Sequence, residues 1–132
     1  MPALVHDERV LTDVDYGRLL KLGRALPPEL ADVLEIAEVA SPRTVDADVV
    51  TMYSRVVLVD QATHRRHTLT ICYPRDAAAG AGLVSVLSPV GMGVLGLRVG
   101  DIARWRTPLG ADCEAKVEDV QYQPEATGDY ST

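Results

Sequence analysis

The sequence predicts an α+β chain: a short N-terminal antiparallel helical hairpin, then an antiparallel sheet crossed by one short helix. Three observations lead there. Apolar residues recur at helical spacing between Thr12 and Ala37, with a break at Pro27-Pro28. From Val50 onward they alternate with polar residues, the period of a strand with one buried face. Between two of the strand-like runs lies Ser88 to Asp101, Ser-Pro-Val-Gly-Met-Gly-Val-Leu-Gly-Leu-Arg-Val-Gly-Asp, which reads as a capped, glycine-rich helix followed by a turn.

In chain order, Thr12 followed by Asp15 resembles a capping box, and Tyr16, Leu19, Leu20 and Leu26 give the first helix its apolar side. Pro28 and Glu29 suit the first turn of a second helix, whose stripe is Leu30, Val33, Leu34 and Ala37 and which Ser41-Pro42 ends. Two helices of about 13 residues would make an arm roughly 20 Å long. The polar stretch from Ser41 to Asp48 places a boundary. This divides the chain into a hairpin and linker over residues 1–48, a sheet domain over 49–123 and a flexible tail over 124–132.

Within the sheet domain, Val50 to Leu58 and Thr68 to Tyr73 predict a hairpin, and Leu83 to Leu87 a third strand leading into Ser88. Ser88 caps the short helix and Pro89 fits its first turn. Val90, Val94, Leu95 and Leu97 face the core, while Gly91, Gly93 and Gly96 permit close packing. Ile102 to Thr107 and Cys113 to Tyr122 follow as strands. In the last one Ala115 and Val117 differ in parity from Val120 and Tyr122, so a β-bulge near Glu118 would keep all four on the buried face.

The 132 residues allow one ordinary domain or a smaller one with an appendage. Aromatic residues make up 5% and Phe is absent, so the core must be aliphatic, supported by Trp105 and five Tyr. No apolar run is long enough for a membrane span, and the N-terminus lacks the basic-then-apolar order of a secretion signal, which points to a cytoplasmic protein. Cys72 and Cys113 read as packed thiols rather than a disulfide or zinc site. The net charge of −6 argues against broad binding to nucleic-acid phosphates. The acidic excess sits in residues 1–48, with 10 acids against 5 bases.

No serine elbow, phosphate loop, dinucleotide fingerprint or catalytic carboxylate pair appears in the sheet domain. His64-Arg65-Arg66-His67 reads as a solvated turn without supporting metal ligands. Glu29 and Asp32, at the expected hairpin tip, lie one helical turn apart and could share a Mg²⁺, although the helix dipole alone accounts for acids in a first turn. Arg55, Arg104 and Arg106 recur on strands. With Arg65, Arg66 and Arg98 they would form a basic patch on the sheet face away from the helix, suited to an acidic protein surface.

Val49-Val50-Thr51-Met52-Tyr53-Ser54-Arg55-Val56, Ser88-Pro89-Val90-Gly91 and Leu95-Gly96-Leu97-Arg98-Val99-Gly100-Asp101 resemble the C-terminal domain of the bacterial Gre transcript-cleavage factors. The ending Tyr122-Gln123-Pro124-Glu125-Ala126-Thr127-Gly128-Asp129-Tyr130 and the abbreviated hairpin resemble the Rnk-type regulators of nucleoside diphosphate kinase within that superfamily. The resemblance implies an FKBP-like sheet domain on a small coiled coil, and RNA polymerase as partner. Contact regions would lie around Arg75, Met92 and Pro108, beside the arginine patch, with nucleic acid met only through the polymerase complex. It also implies a direct or indirect link to nucleoside diphosphate kinase. Gre factors send a long coiled coil through the polymerase secondary channel, where acidic tip residues hold a catalytic Mg²⁺. A hairpin of roughly 20 Å is too short for that, so the reading is a non-enzymatic regulator without cofactors that competes for the channel. The alternatives are a cleavage-stimulating factor or a peptidyl-prolyl isomerase. A domain without Phe is poorly equipped for the aromatic pocket of the latter.

Overall fold

The computed structural model describes residues 8–130. The first seven residues, on which the reading about a secretion signal rests, and the last two of the expected tail lie outside the described residues. The chain begins with strand β1 (Val10–Thr12) and helix α1 (Asp13–Leu20), then a 3-10 turn at Gly23–Ala25, helix α2 (Pro28–Ile36) and strand β2 (Glu38–Ala40). The Thr12 side chain accepts the Asp15 N–H at 3.0 Å, so the cap read from the sequence opens α1.

Both helices are shorter than the expected 13 residues, for local reasons. The N–H groups of Lys21 and Leu22 turn to the carbonyls of Arg18 and Leu19, tightening the last turn, and Gly23 takes a left-handed φ of 56°. Helix α2 stops at Ile36 because the next residues pair with β1: β1 and β2 run parallel, Val10 opposite Glu38 and Thr12 opposite Ala40. This two-stranded element was absent from the sequence reading. At 1.5 Å per residue the helices are only about 12 and 14 Å long.

The main sheet contains strands β3 (Arg55–Asp60), β4 (Arg66–Cys72), β5 (Leu83–Ser85), β6 (Ile102–Arg106) and β7 (Asp112–Tyr122) in the order β5-β4-β3-β7-β6. All neighbours are antiparallel except β4 and β5. Strand β3 begins at Arg55 rather than Val50. Tyr53 has a φ of 66°, and Thr51 and Ser54 close a turn in which Ser54 Oγ accepts the Thr51 N–H. The alternation over residues 50–54 reflects burial of an irregular segment: Val50 bonds to Leu97 and Gly96 through its backbone, and Val49, Val50 and Met52 are fully buried.

The bulge at Glu118 is present, since Leu58 pairs with Val117 and Val57 with Asp119. A second irregularity skips Gln121, pairing Val56 with Val120 and Arg55 with Tyr122. Tyr122 is consequently exposed rather than on the buried face. Helix α3 (Pro89–Val94) starts as read: Ser88 Oγ accepts the Gly91 N–H at 3.1 Å, with Pro89 in the first turn. It packs against β6. Gly91 is required for close approach, because a Cβ there would stand 2.3 Å from the Ser85 carbonyl oxygen.

One hydrophobic core contains Leu11, Leu19, Leu30, Val33 and Leu34 from the N-terminal part together with Val56, Leu58, Ile71, Leu97 and Val117 from the sheet part. The segment after β7 also folds back. Residues Glu125–Thr127 form a 3-10 turn, and Glu125 is 7% exposed where an extended tail was expected. The Gln123 side-chain amide donates to the carbonyls of Asp46 and Val49, which anchors this segment. Among the described residues no helix is long and apolar enough to cross a membrane. Cys72 is buried, Cys113 half-buried, and both are free thiols.

Candidate functional site

The outward face of the sheet carries the arginines singled out from sequence, but in pairs. Register places Arg104 opposite Glu114 and Arg106 opposite Asp112 on β6 and β7, and each pair closes at 2.9 Å. Arg66 reaches Glu118 at the bulge through two nitrogens. Hydrogen bonds from these guanidiniums hold the carboxyls of Asp112 and Glu118 below their ordinary range. The face is therefore a ladder of alternating charge rather than a basic patch. Arg98 also has internal work: its Nη1 reaches Asp46 at 2.8 Å and Asp48 at 3.2 Å, tying the linker to the turn after α3. Arg55 and Arg75 are exposed on other elements, with Asp76 4.0 Å from Arg75.

Between α2, α3 and β6 lies a cleft of about 220 Å³, lined by Arg9, Glu29, Met92, Trp105 and Arg106 among others. Arg9, in the residue before β1, is almost buried and donates from Nη1 to the carbonyls of Met92 and Leu95 at 3.0 and 2.9 Å. A cation on the last carbonyls of α3 satisfies acceptors that the helix leaves open. Glu29 thus opens onto a cleft in the body of the protein, and its neighbour Leu30 is fully buried. Asp32 is exposed one turn later. Two carboxylates one turn apart do not by themselves make a cation cage. Among the described residues no three His, Cys, Asp or Glu side chains converge as metal ligands.

The core also holds a polar cluster that sequence reasoning missed. Asp15 on α1 is fully buried and accepts the Met52 N–H at 3.1 Å, while Glu125 accepts the Thr51 hydroxyl at 2.7 Å. Burial pushes the Asp15 carboxyl up to about 7, against the Met52 hydrogen bond and with the Glu125 charge adding to the rise. The cluster joins α1, the irregular segment at residues 51–54 and the C-terminal turn. Its one sequence signal was Asp15 in a capping position, where an exposed carboxylate is ordinary.

A curled, antiparallel-dominated sheet closed by one short glycine-rich helix, with a small helical unit ahead of it, is the architecture of the Gre factors' C-terminal class. The model of the family "Transcription elongation factor, GreA/GreB, C-term" matches residues 45–122, and the chain belongs to that family. The "Regulator of nucleoside diphosphate kinase" of Escherichia coli (strain K12) is 40% identical, over 92% of this chain and 94% of the relative. "Transcription elongation factor GreA" of Sulfurovum sp. (strain NBC37-1) is 34% identical, over 72% of this chain and 58% of the relative. Among solved structures, the GreA/GreB factor from Nitrosomonas europaea superimposes with a TM-score of 0.70 at 31% identity, covering 87% of this chain and all of its own. These relatives carry the names of regulators and transcription factors.

Proposed function

We propose that the protein is a non-catalytic regulator that binds RNA polymerase near its secondary channel, competes there with Gre-type factors, and influences the level of nucleoside diphosphate kinase in the cytoplasm. The observation that carries this reading is Leu30, fully exposure-free in the core beside Glu29 at the start of α2. The acidic residues at the helical turn belong to the body of the protein rather than to the end of a free arm. Helices of 8 and 9 residues cannot deliver them to a distant reaction centre. Family membership supports the choice of partner. The proposed contacts are Met92 on α3 and Arg55, Arg75, Arg98, Arg104 and Arg106, with nucleic acid reached only through the polymerase.

Competition between labelled Gre factor and this protein for core polymerase tests the reading: displacement is expected, and independent simultaneous binding overturns it. Exchange of Arg104 and Arg106 for Glu leaves Glu114 and Asp112 unpaired and should weaken binding; unchanged affinity removes that stripe from the interface. With purified protein and a backtracked elongation complex no shortened transcript is expected. The name of the Escherichia coli relative supports a second reading, direct contact with nucleoside diphosphate kinase. A pull-down from extract depleted of polymerase would separate it from the first.

A further inference from the structure

A cavity of about 720 Å³ opens between the end of α1, the left-handed turn at Tyr53 and the 3-10 turn Pro74–Asp76. Its volume lies in the range of small-ligand sites. Three of the residues that line it are cations from two separate parts of the fold, Arg18 in the last turn of α1 and Lys21 at its C-cap, and Arg75 on the turn after β4. In a chain of net charge −6 these three cations outnumber the one carboxylate at the rim, Asp76, which stands 4.0 Å from Arg75 and accepts the Tyr53 hydroxyl. Attraction of cations to a helix C-terminus accounts for Arg18 and Lys21 but not for Arg75, which reaches the cavity from another part of the fold.

The walls are aromatic and already held in place. The rings of Tyr53 and Tyr73 stand 5.8 Å apart at 60°. Tyr53 keeps a φ of 66° that non-glycine residues rarely adopt, fixed by its N–H on the Ile71 carbonyl and its hydroxyl on the Asp76 carboxylate. Tyr73 is 7% exposed, and its hydroxyl faces the Arg18 guanidinium, which joins the two sides of the cavity.

We propose that this cavity binds a nucleoside polyphosphate, its base against the Tyr53 ring and its phosphates on Arg18, Lys21 and Arg75. Three cations in one small cavity call for several negative charges on a compact group, which a diphosphate supplies and a neutral or singly charged ligand does not. The half-buried Tyr53 ring calls for a planar group, since every base offers a π-face to an aromatic side chain, and the Tyr73 ring, inclined at 60° to it, backs it from inside the fold. An acidic peptide would match the cations but leave the Tyr53 ring without a stacking partner.

The test is titration of the full chain with ADP and with GDP, followed by calorimetry and by backbone amide shifts. Pyrophosphate and adenosine serve as separate arms. Binding of at least one nucleotide is expected, with shifts clustered at residues 18–22, 53 and 73–76. Lys21→Glu and Arg75→Glu should each weaken it by about tenfold or more, whereas Arg65→Glu, on the β3–β4 loop, should leave it unchanged. All three positions are exposed, and unchanged circular dichroism will establish that the variants fold. Absence of binding at about 1 mM nucleotide overturns the proposal. So does binding indifferent to both reversals, shifts centred elsewhere, or pyrophosphate binding as tightly as ADP, which would leave the aromatic walls without a role. Because no polymerase is present, failure here leaves the polymerase reading standing, and failure of competition leaves this one standing.

Discussion

Replacing Asp15 with Asn isolates the buried carboxyl that links three parts of the fold. The side chain keeps its shape and an acceptor for the Met52 N–H, but it can no longer ionise. In the native protein the Asp15 carboxyl titrates at about 7 against an ordinary 3.8, mainly through burial. The folded state therefore holds a proton that the unfolded chain has already released. The stabilisation this gives is complete below pH 3.8, declines as pH rises, and is gone once the pH has passed through about 7. The rise corresponds to about 4 kcal/mol at most, a large part of the stability of a domain this size. Other groups face the same carboxyl: Glu125 adds to the rise, Arg18 opposes it, and Thr12 donates locally. Urea unfolding of both proteins between about pH 4.5 and 8.5 reads the difference directly, and carboxyls common to the two cancel. The native protein should lose stability relative to the variant as pH rises, by about 2 to 4 kcal/mol across the window. The amide nitrogen in place of the unbonded Oδ1 costs about 1 to 3 kcal/mol at every pH, which shifts the whole curve without changing its slope. A difference that does not change with pH would show that Asp15 is not the titrating group.

Two glycine substitutions should move stability in opposite directions. At Gly91 an added Cβ meets the Ser85 carbonyl oxygen and the Val86 Cα, both backbone, so Gly91→Ala should cost about 3 kcal/mol or more in denaturant unfolding. At Gly17, in the interior of α1, a Cβ meets nothing within 4 Å, and Gly17→Ala should raise stability by about 0.5 to 1 kcal/mol. Leu30→Ala, in the core shared by α2 and the sheet, should cost about 2 to 5 kcal/mol and lower the midpoint of a single cooperative transition. Loss of α2 alone, with the sheet unfolding unchanged, would contradict that shared core.

The parts of this fold legible in sequence are those that local chemistry decides. Ser88 and Pro89 specify a helix start wherever they stand, and the change of parity between Val117 and Val120 can be absorbed only by a bulge, as at Glu118. The parts not legible depend on a remote partner. Glu38–Ala40 has no alternation of its own and becomes a strand because Val10–Thr12 lies beside it. Tyr53 carries no mark of a left-handed backbone, and apolar residues around it mimic a strand while packing as an irregular plug. The candidate surface divides in the same way. That Arg104 and Arg106 face solvent followed from alternation, but their neutralisation by Glu114 and Asp112 depends on register between β6 and β7. Glu125, in what composition marks as tail, is buried because Thr51 offers it a hydroxyl.

The placement of α2 bears on function through an energetic comparison. To extend α1 and α2 away from the sheet as a free arm, the protein would have to expose Leu30, Val33 and Leu34, all buried against the common core. At about 1.5 to 3 kcal/mol for each such side chain, the cost is about 5 to 9 kcal/mol, comparable to the whole stability of a small domain. Asp15 adds to it, since withdrawal of α1 would break its bond to Met52. A partner could supply that energy only through contacts made by the extended form and absent from the compact one. Binding through the sheet and α3 leaves the helices where they are and requires no such compensation. A regulator that occupies a site in its folded shape is therefore the reading with the lower energetic demand, and a long-reaching cleavage factor would have to dismantle its own core before it could act.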